Sequence, residues 1–165
     1  IFLQCGVGGL ASSCAAFVRN WFLNKNKDVK IIIVEPTFAD CYRISIEAIH
    51  NGKDKQLYSE CLSKLESINI GLQCLIPSKV AFPIIRDTAD HYLSISDNYT
   101  KYTLKYIRQS VDEDLDTAPT GISGVAGLYA ARNENLFGLD KNSVVLTINT
   151  ECNTDTELVN QILTL

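Results

Sequence analysis

The stretch from Ile1 to Pro36 constrains this chain more than any other. Ile1-Phe2-Leu3-Gln4 is a short apolar run that breaks at Cys5-Gly6-Val7-Gly8-Gly9. Beyond the glycines, apolar residues recur at positions 10, 14, 17, 18, 21 and 22, the spacing of one helix face. Asn24-Lys25-Asn26-Lys27-Asp28 is a polar loop. Lys30-Ile31-Ile32-Ile33-Val34-Glu35 is then a β-branched run with no alternation, stopped by Pro36, and it reads as a strand buried on both faces. Strand, glycine turn, helix and buried strand in that order make a βαβ unit. Its strands must be parallel and must be covered by helices.

The remaining segments extend the pattern. Ala39 to Ile49 reads as a helix closed by Asn51-Gly52, a C-cap signal. Leu57 to Leu65 suggests a short helix, Ile70 to Pro77 an irregular stretch, and Val80 to Tyr92 a helix with Pro83 in its first turn. Leu93-Ser94-Ile95-Ser96 alternates like a strand, and Asp97 caps a helix running to about Gln109. Asp112-Glu113-Asp114-Leu115-Asp116 reads as a solvated acidic turn. Thr120-Gly121-Ile122-Ser123-Gly124 opens a helix from Val125 to Asn133, Ser143 to Asn149 reads as a strand, and Thr154 or Asp155 caps a last helix ending at Leu165. The expected fold class is α/β, a mostly parallel sheet with helices on both faces, in one unit over residues 1–165 with no internal boundary.

Composition narrows the function classes. Hydrophobic residues at 46% and charged residues at 21% belong to an ordinary globular domain, and a net charge of −4 provides no general attraction to nucleic acid or an anionic membrane. The longest wholly apolar run, around Ile31 to Val34, is far too short to span a bilayer. Six cysteines at positions 5, 14, 41, 61, 74 and 152 form no C-x-x-C pair, and His50 and His91 stand far apart, so neither a zinc site nor a disulfide framework is expected. Buried reduced thiols are the simpler reading, and with them a cytoplasmic location. No methionine occurs and the opening run reads as the inside of a strand, so the expectation is a portion of a longer chain, its sheet incomplete toward the N-terminus.

The strongest chemical signal is Gly6-Val7-Gly8-Gly9 between a strand and a helix. Glycines there permit positive φ and close backbone approach, and the free N–H groups of a helix start form an anion site. Gly6-x-Gly8-x-x-Ala11 also matches the spacing of a dinucleotide fingerprint, with Glu35 ending the next strand where a ribose hydroxyl would lie. A glycine turn with only a packing role is the third reading. Polar residues from Asn149 to Asp155 follow the strand at Ser143–Asn149, and residues at the carboxyl end of a parallel strand line the usual ligand crevice. No nucleophile–base set stands out. Both histidines fall in segments read as helical.

The ordered motifs nonetheless resemble a known family. Phe2-Leu3-Gln4-Cys5-Gly6-Val7-Gly8-Gly9-Leu10-Ala11, Ile33-Val34-Glu35-Pro36, Ala39-Asp40-Cys41, Gly71-Leu72-Gln73-Cys74 with Pro77, Ile85-Arg86-Asp87, Ser123-Gly124 with Gly127-Leu128, Asn142 to Leu146, Thr150-Glu151 and Thr154-Asp155 resemble, in register, the C-terminal part of the diaminopropionate ammonia-lyases. Those enzymes belong to the fold type II pyridoxal-phosphate group, together with the tryptophan synthase β chain. The resemblance implies pyridoxal 5'-phosphate as cofactor, bound through the phosphate by Gly6, Val7, Gly8, Gly9 and Leu10, with Asn149 and Thr150 supplying a neutral partner to the ring nitrogen. It implies α,β-elimination from a small amino acid, 2,3-diaminopropionate, to pyruvate and ammonia, and a homodimer.

The resemblance also implies that the lysine carrying the cofactor, and the acid–base aspartates, lie upstream of the glycine loop. This chain is therefore expected to hold no catalytic residue and to be inactive by itself. Ile122 stands where the family has a carboxylate, Asn149 where it has a hydroxyl residue and Cys152 where it has a glycine. Two alternatives follow: a catalytically degenerate member acting as a binding or interaction module, and, from the spacing of Gly6, Gly8, Ala11 and Glu35, a NAD-binding domain.

Overall fold

The computed structural model describes residues 1–52, 66–110 and 115–164. Strands β1 (Phe2–Gln4), β2 (Ile32–Pro36) and β3 (His91–Ile95) form a parallel sheet in the order β1-β2-β3. Phe2 pairs with Ile32 and Ile32 with His91. Around the sheet run α1 (Gly9–Leu23), α2 (Cys41–His50), a 3-10 turn (Ile70–Leu72), α3 (Ala81–Thr88), α4 (Asp97–Ser110), α5 (Pro119–Asn133) and α6 (Thr156–Thr164). No helix among the described residues is long and apolar enough to cross a membrane.

Alternation along short strands sorts the side chains onto two faces. Leu3 and Ile33 pack with Ala11, Ala15, Tyr42 and Ile85 beneath α1, α2 and α3. Phe2, Ile32, Val34 and Leu93 pack with Ala126, Ala130 and Ala131 of α5 on the other face. The unbroken apolar run of β2 is thus explained, because both its faces are covered. Helix α5 lies between the sheet and the helices α4 and α6, whose core comprises Leu104, Ile122, Val159 and Ile162. It touches protein on two sides and carries small residues where it crosses the strands.

Several boundaries differ from the sequence reading. The helix expected to run from Val80 to Tyr92 ends at Thr88, and His91 and Tyr92 belong to β3. The reason is tertiary. The Asp90 carboxylate accepts the Ile31 backbone N–H at 2.7 Å and an Arg19 guanidinium N–H at 2.6 Å, which turns the chain onto the free edge of β2. His91 is therefore a strand residue, its ring 4.7 Å from that of Phe137. Ser143 to Asn149, read as a strand, is irregular: one ladder-like bond, from Phe2 N–H to the Leu146 carbonyl at 3.1 Å, joins it to β1, and Val144 is 99% exposed. The helix read as starting at Val125 begins at Pro119, and Ile70 to Pro77 contains the 3-10 turn.

Other expectations match. Helix α2 closes with Gly52 at φ 72°, and Asp155 accepts the Leu158 N–H at 3.0 Å at the start of α6. The helix read over Leu57 to Leu65, together with Cys61, lies outside the described residues, as do positions 111–114 of the acidic run. Asp116 of that run braces a neighbour, accepting the Asn153 N–H at 2.9 Å. Of the described cysteines, Cys5 and Cys41 are buried, Cys152 is exposed, and all are free.

A Cβ on Gly127 would sit 2.5 Å from Val34 Cγ2. At an open helical site Gly→Ala would gain about 1 kcal/mol. Here the collision dominates, and Gly127→Ala is expected to cost about 1–3 kcal/mol. Urea denaturation checks this: a lowered midpoint is expected, and an unchanged or raised one would mean that Val34 yields freely.

Candidate functional site

The turn from Cys5 to Gly9 has an unusual polarity. The carbonyls of Gly6, Val7, Gly8 and Gly9 are engaged by the protein. The Cys5 thiol donates to the Gly6 carbonyl at 3.5 Å, and the Tyr42 hydroxyl (2.8 Å) and the Ser78 N–H (3.0 Å) donate to that of Val7. The Ser12 N–H donates to the Gly8 carbonyl at 2.9 Å, and the Ser12 and Ser13 hydroxyls donate to that of Gly9, each at 3.0 Å. In contrast, the N–H groups of Gly6, Gly8, Gly9 and Leu10 donate to no acceptor among the described residues, whereas that of Val7 is directed to the Cys74 thiol. In a trans peptide the carbonyl and the following N–H point in opposite directions. Tying the carbonyls of Val7, Gly8 and Gly9 into the protein therefore turns the N–H groups of Gly8, Gly9 and Leu10 away from those partners.

Glycine is required for this geometry. Gly8 caps α1 with φ 103°, and a Cβ there would fall 1.9 Å from the Tyr42 hydroxyl. A Cβ on Gly6 would meet the Gly71 carbonyl and Leu72 Cα at 3.0 Å. The free N–H groups open into a cavity of about 350 Å³, within the usual range for small-molecule clefts of about 300–1,000 Å³. Gln4 and Thr150 stand on one side of it, and Gly71, Leu72 and Thr120 on another. The Thr120 hydroxyl accepts the Gly71 N–H at 3.0 Å. A buried polar network holds that second wall: Asp97 accepts from the Ser67 hydroxyl, the Ile68 N–H and the Asn69 amide, and Ser123 of α5 donates to Asn69.

No lining residue is a lysine, arginine, histidine, aspartate or glutamate. The first turn of α1 carries no acid. A helix N-terminus, unpaired N–H groups and uncharged walls suit an anion such as a phosphate ester. They do not provide a base or a nucleophile.

The structure brings Gly6, Val7, Gly8, Gly9, Leu10 and Thr150 together around this cavity. Asn149 is not among the lining residues; its amide donates to the Asp116 carbonyl at 3.3 Å and accepts from the Thr117 hydroxyl at 2.7 Å. Ile122 points into the core between α4 and α6, and Cys152 is exposed away from the cavity. Gln4 and Thr120 line the site without having been read as ligands. Their only sequence signals are a polar residue ending an apolar strand and a hydroxyl opening a glycine-rich helix start.

Glu35 neither faces the glycine loop nor reaches solvent. It is 0% exposed, and its carboxylate accepts the N–H groups of Tyr42 (2.8 Å) and Arg43 (2.9 Å) at the start of α2. Burial raises its pKa to about 8, partly offset by those two bonds. Burial likewise pushes the Cys5 and Cys41 thiols and the Tyr42 hydroxyl upward, so burial favours the neutral form of each member of this cluster beneath the loop.

The profile of the family described as "Pyridoxal-phosphate dependent enzyme" matches residues 1–151. Diaminopropionate ammonia-lyase of Escherichia coli K12 is 28% identical over 168 residues, covering 94% of this chain and 39% of that protein. The crystal structure of holo diaminopropionate ammonia lyase from Escherichia coli superposes with a TM-score of 0.74 at 24% identity, covering 98% of this chain and 40% of that one. The processed form of threonine deaminase isoform 2 from Solanum lycopersicum superposes with a TM-score of 0.77 at 21% identity, covering 99% and 43%. The chain thus spans about two fifths of the length of these proteins, and the fold they share is its own.

A carboxyl that keeps its proton to about pH 8 when folded, but loses it near 4.5 when unfolded, favours folding fully below the lower value. That contribution declines as pH rises and is gone above about 8. The melting temperature is expected to fall between pH 5 and 8, and Glu35→Gln, uncharged throughout, to flatten this slope. Thermal melts across the range check it; parallel slopes for the two proteins would refute it.

Proposed function

We propose that this chain, which belongs to the pyridoxal-phosphate dependent enzyme family, forms the phosphate-holding part of a lyase that eliminates ammonia from 2,3-diaminopropionate. One observation carries the proposal: the unused N–H groups of Gly6, Gly8, Gly9 and Leu10 border a cavity with uncharged walls that also contains the Thr150 hydroxyl. These residues fit pyridoxal phosphate. The backbone N–H groups of Gly6, Gly8, Gly9 and Leu10, with the N-terminal dipole of α1, would hold its phosphate dianion, and Val7 lies beside them with its own N–H toward the Cys74 thiol. Thr150 meets the ring nitrogen, and the neighbouring Asn149 acts indirectly by bracing the Thr117 and Asp116 segment. When bound, the cofactor supplies an electron sink for bond cleavage at the amino-acid α carbon.

Around it, the chain's own residues bind and orient. Tyr42 and Ser78 hold the Val7 carbonyl, so the phosphate meets donors already in place. No lining side chain moves a proton. The proton transfers, and the amine that carries the cofactor, therefore belong to parts of the enzyme outside this cavity wall. The balanced reaction consumes 2,3-diaminopropionate and water and yields pyruvate and two molecules of ammonia. That reading rests on the likeness to diaminopropionate ammonia-lyase, whose name states the substrate. A small amino acid as substrate and a homodimeric assembly complete the proposal.

The test uses the holoenzyme. Gly8→Ala is expected to weaken pyridoxal phosphate binding by more than about tenfold, equivalent to about 1.4 kcal/mol. It should leave the weaker binding of pyridoxal, which lacks the phosphate, unchanged. Calorimetric titration of the apoenzyme separates the two. Equal loss for both ligands would move the phosphate away from the glycine loop, and a holoenzyme forming no pyruvate from 2,3-diaminopropionate would overturn the substrate.

A further inference from the structure

Gln4 is the last residue of β1 and is only 3% exposed. Its Nε2 donates to the Ile148 carbonyl at 2.8 Å, to the Thr150 hydroxyl at 2.8 Å and to the Gly121 carbonyl at 3.3 Å. A carbonyl oxygen only accepts. Two of them beside one end of the amide therefore dictate that nitrogen, not oxygen, faces this cluster. The Gln4 Oε1 has no hydrogen-bond partner among the described residues. It lies against α5 where a Cβ on Gly124 would come within 2.8 Å, so the glycine makes room for it. A buried acceptor left unsatisfied is costly, and this amide keeps its orientation despite that cost.

The consequence falls on Thr150. A hydroxyl has one proton to give. Because Gln4 can only donate to Thr150 Oγ1, the Thr150 proton is left for a different acceptor. Thr150 is itself exposed, and Gln4 is the side chain that holds it at the cavity wall. We infer that Gln4 is a positioning residue: it sets the direction of the Thr150 O–H and thereby makes that hydroxyl a hydrogen-bond donor into the cavity, suited to an unprotonated aromatic nitrogen rather than to a pyridinium N–H. The inference deepens the proposed function and rests on its placement of the ring nitrogen at Thr150. It concerns a residue that touches neither cofactor nor substrate and acts through its neighbour.

A double-mutant cycle on the holoenzyme tests it, with Gln4→Met, Thr150→Val and the pair. Two readouts are taken: the dissociation constant of pyridoxal phosphate from the apoenzyme, and the nitrogen-15 NMR signal of ring-labelled pyridoxal phosphate. Thr150→Val is expected to weaken binding about tenfold, as for a lost buried hydrogen bond. Gln4→Met is expected to weaken it by a similar factor and to move the ring-nitrogen signal in the same direction. The pair should bind no more weakly than Thr150→Val alone. A merely structural Gln4 would instead yield multiplied losses and a ring-nitrogen signal at the wild-type position, and either result overturns the inference while leaving the proposed function standing. If Thr150→Val changes neither readout, the ring nitrogen lies elsewhere, and the inference falls together with the placement of Thr150 while the phosphate site at the glycine loop is left standing. Should Gln4→Met not fold, Gly124→Ala replaces it in the cycle, since its methyl would displace the Gln4 amide without altering its chemistry.

Discussion

The peptide planes between Gly6 and Gly9 carry the constraint on which the rest depends. Their carbonyls bond into the protein, while the N–H groups of Gly8 and Gly9 bond to nothing among the described residues and that of Val7 is directed to the Cys74 thiol. Holding that arrangement needs a strand to launch the turn, a helix to receive it and side chains from elsewhere to occupy the carbonyls. Tyr42 comes from α2, Ser78 from the segment before α3, and Ser12 and Ser13 from α1. Parallel strands make this possible, because they put the end of β1 and the starts of the following helices on one side of the molecule.

Beneath the loop lies a set of ionisable groups whose burial disfavours charge. Glu35, Cys5, Cys41 and Tyr42 are held toward their neutral forms by burial. A negative charge there would repel an anion at the loop. Glu35 also satisfies two N–H groups at the head of α2 and so fixes the helix that supplies Tyr42. On the opposite wall, the network of Ser67, Asn69, Asp97 and Ser123 places Gly71 and Leu72 so close to Gly6 that a Cβ there would meet their backbone at 3.0 Å.

Much of this was legible in the sequence because it is local. The β1–α1–β2 unit is written in a glycine turn followed by helical spacing and then an unbroken β-branched run. The elements that escaped were decided by distant partners. Tyr92 looks like the end of a helix until Asp90 is bound to Ile31 and Arg19. The run from Ser143 to Asn149 has strand composition, yet makes a single backbone–backbone bond to β1. Glu35 matches a ribose-binding spacing, but its carboxylate is engaged at the head of α2. The departures at Ile122, Asn149 and Cys152 suggested a damaged site, and the structure places all three off the cavity wall.

By itself, the sequence determined the parallel α/β class, the glycine turn between β1 and α1 and the ordered motifs of a pyridoxal-phosphate enzyme. Each is carried by residue type and short spacing, and a glycine's backbone freedom or a strand's double burial does not depend on what lies far along the chain. Only the tertiary structure decided which polar groups face the cavity and which are consumed elsewhere. A hydroxyl, an amide or a carboxylate reads the same in a sequence whichever way it points. Its direction is set by partners more than a hundred residues away, as Gln4 is by Gly121, Ile148 and Thr150.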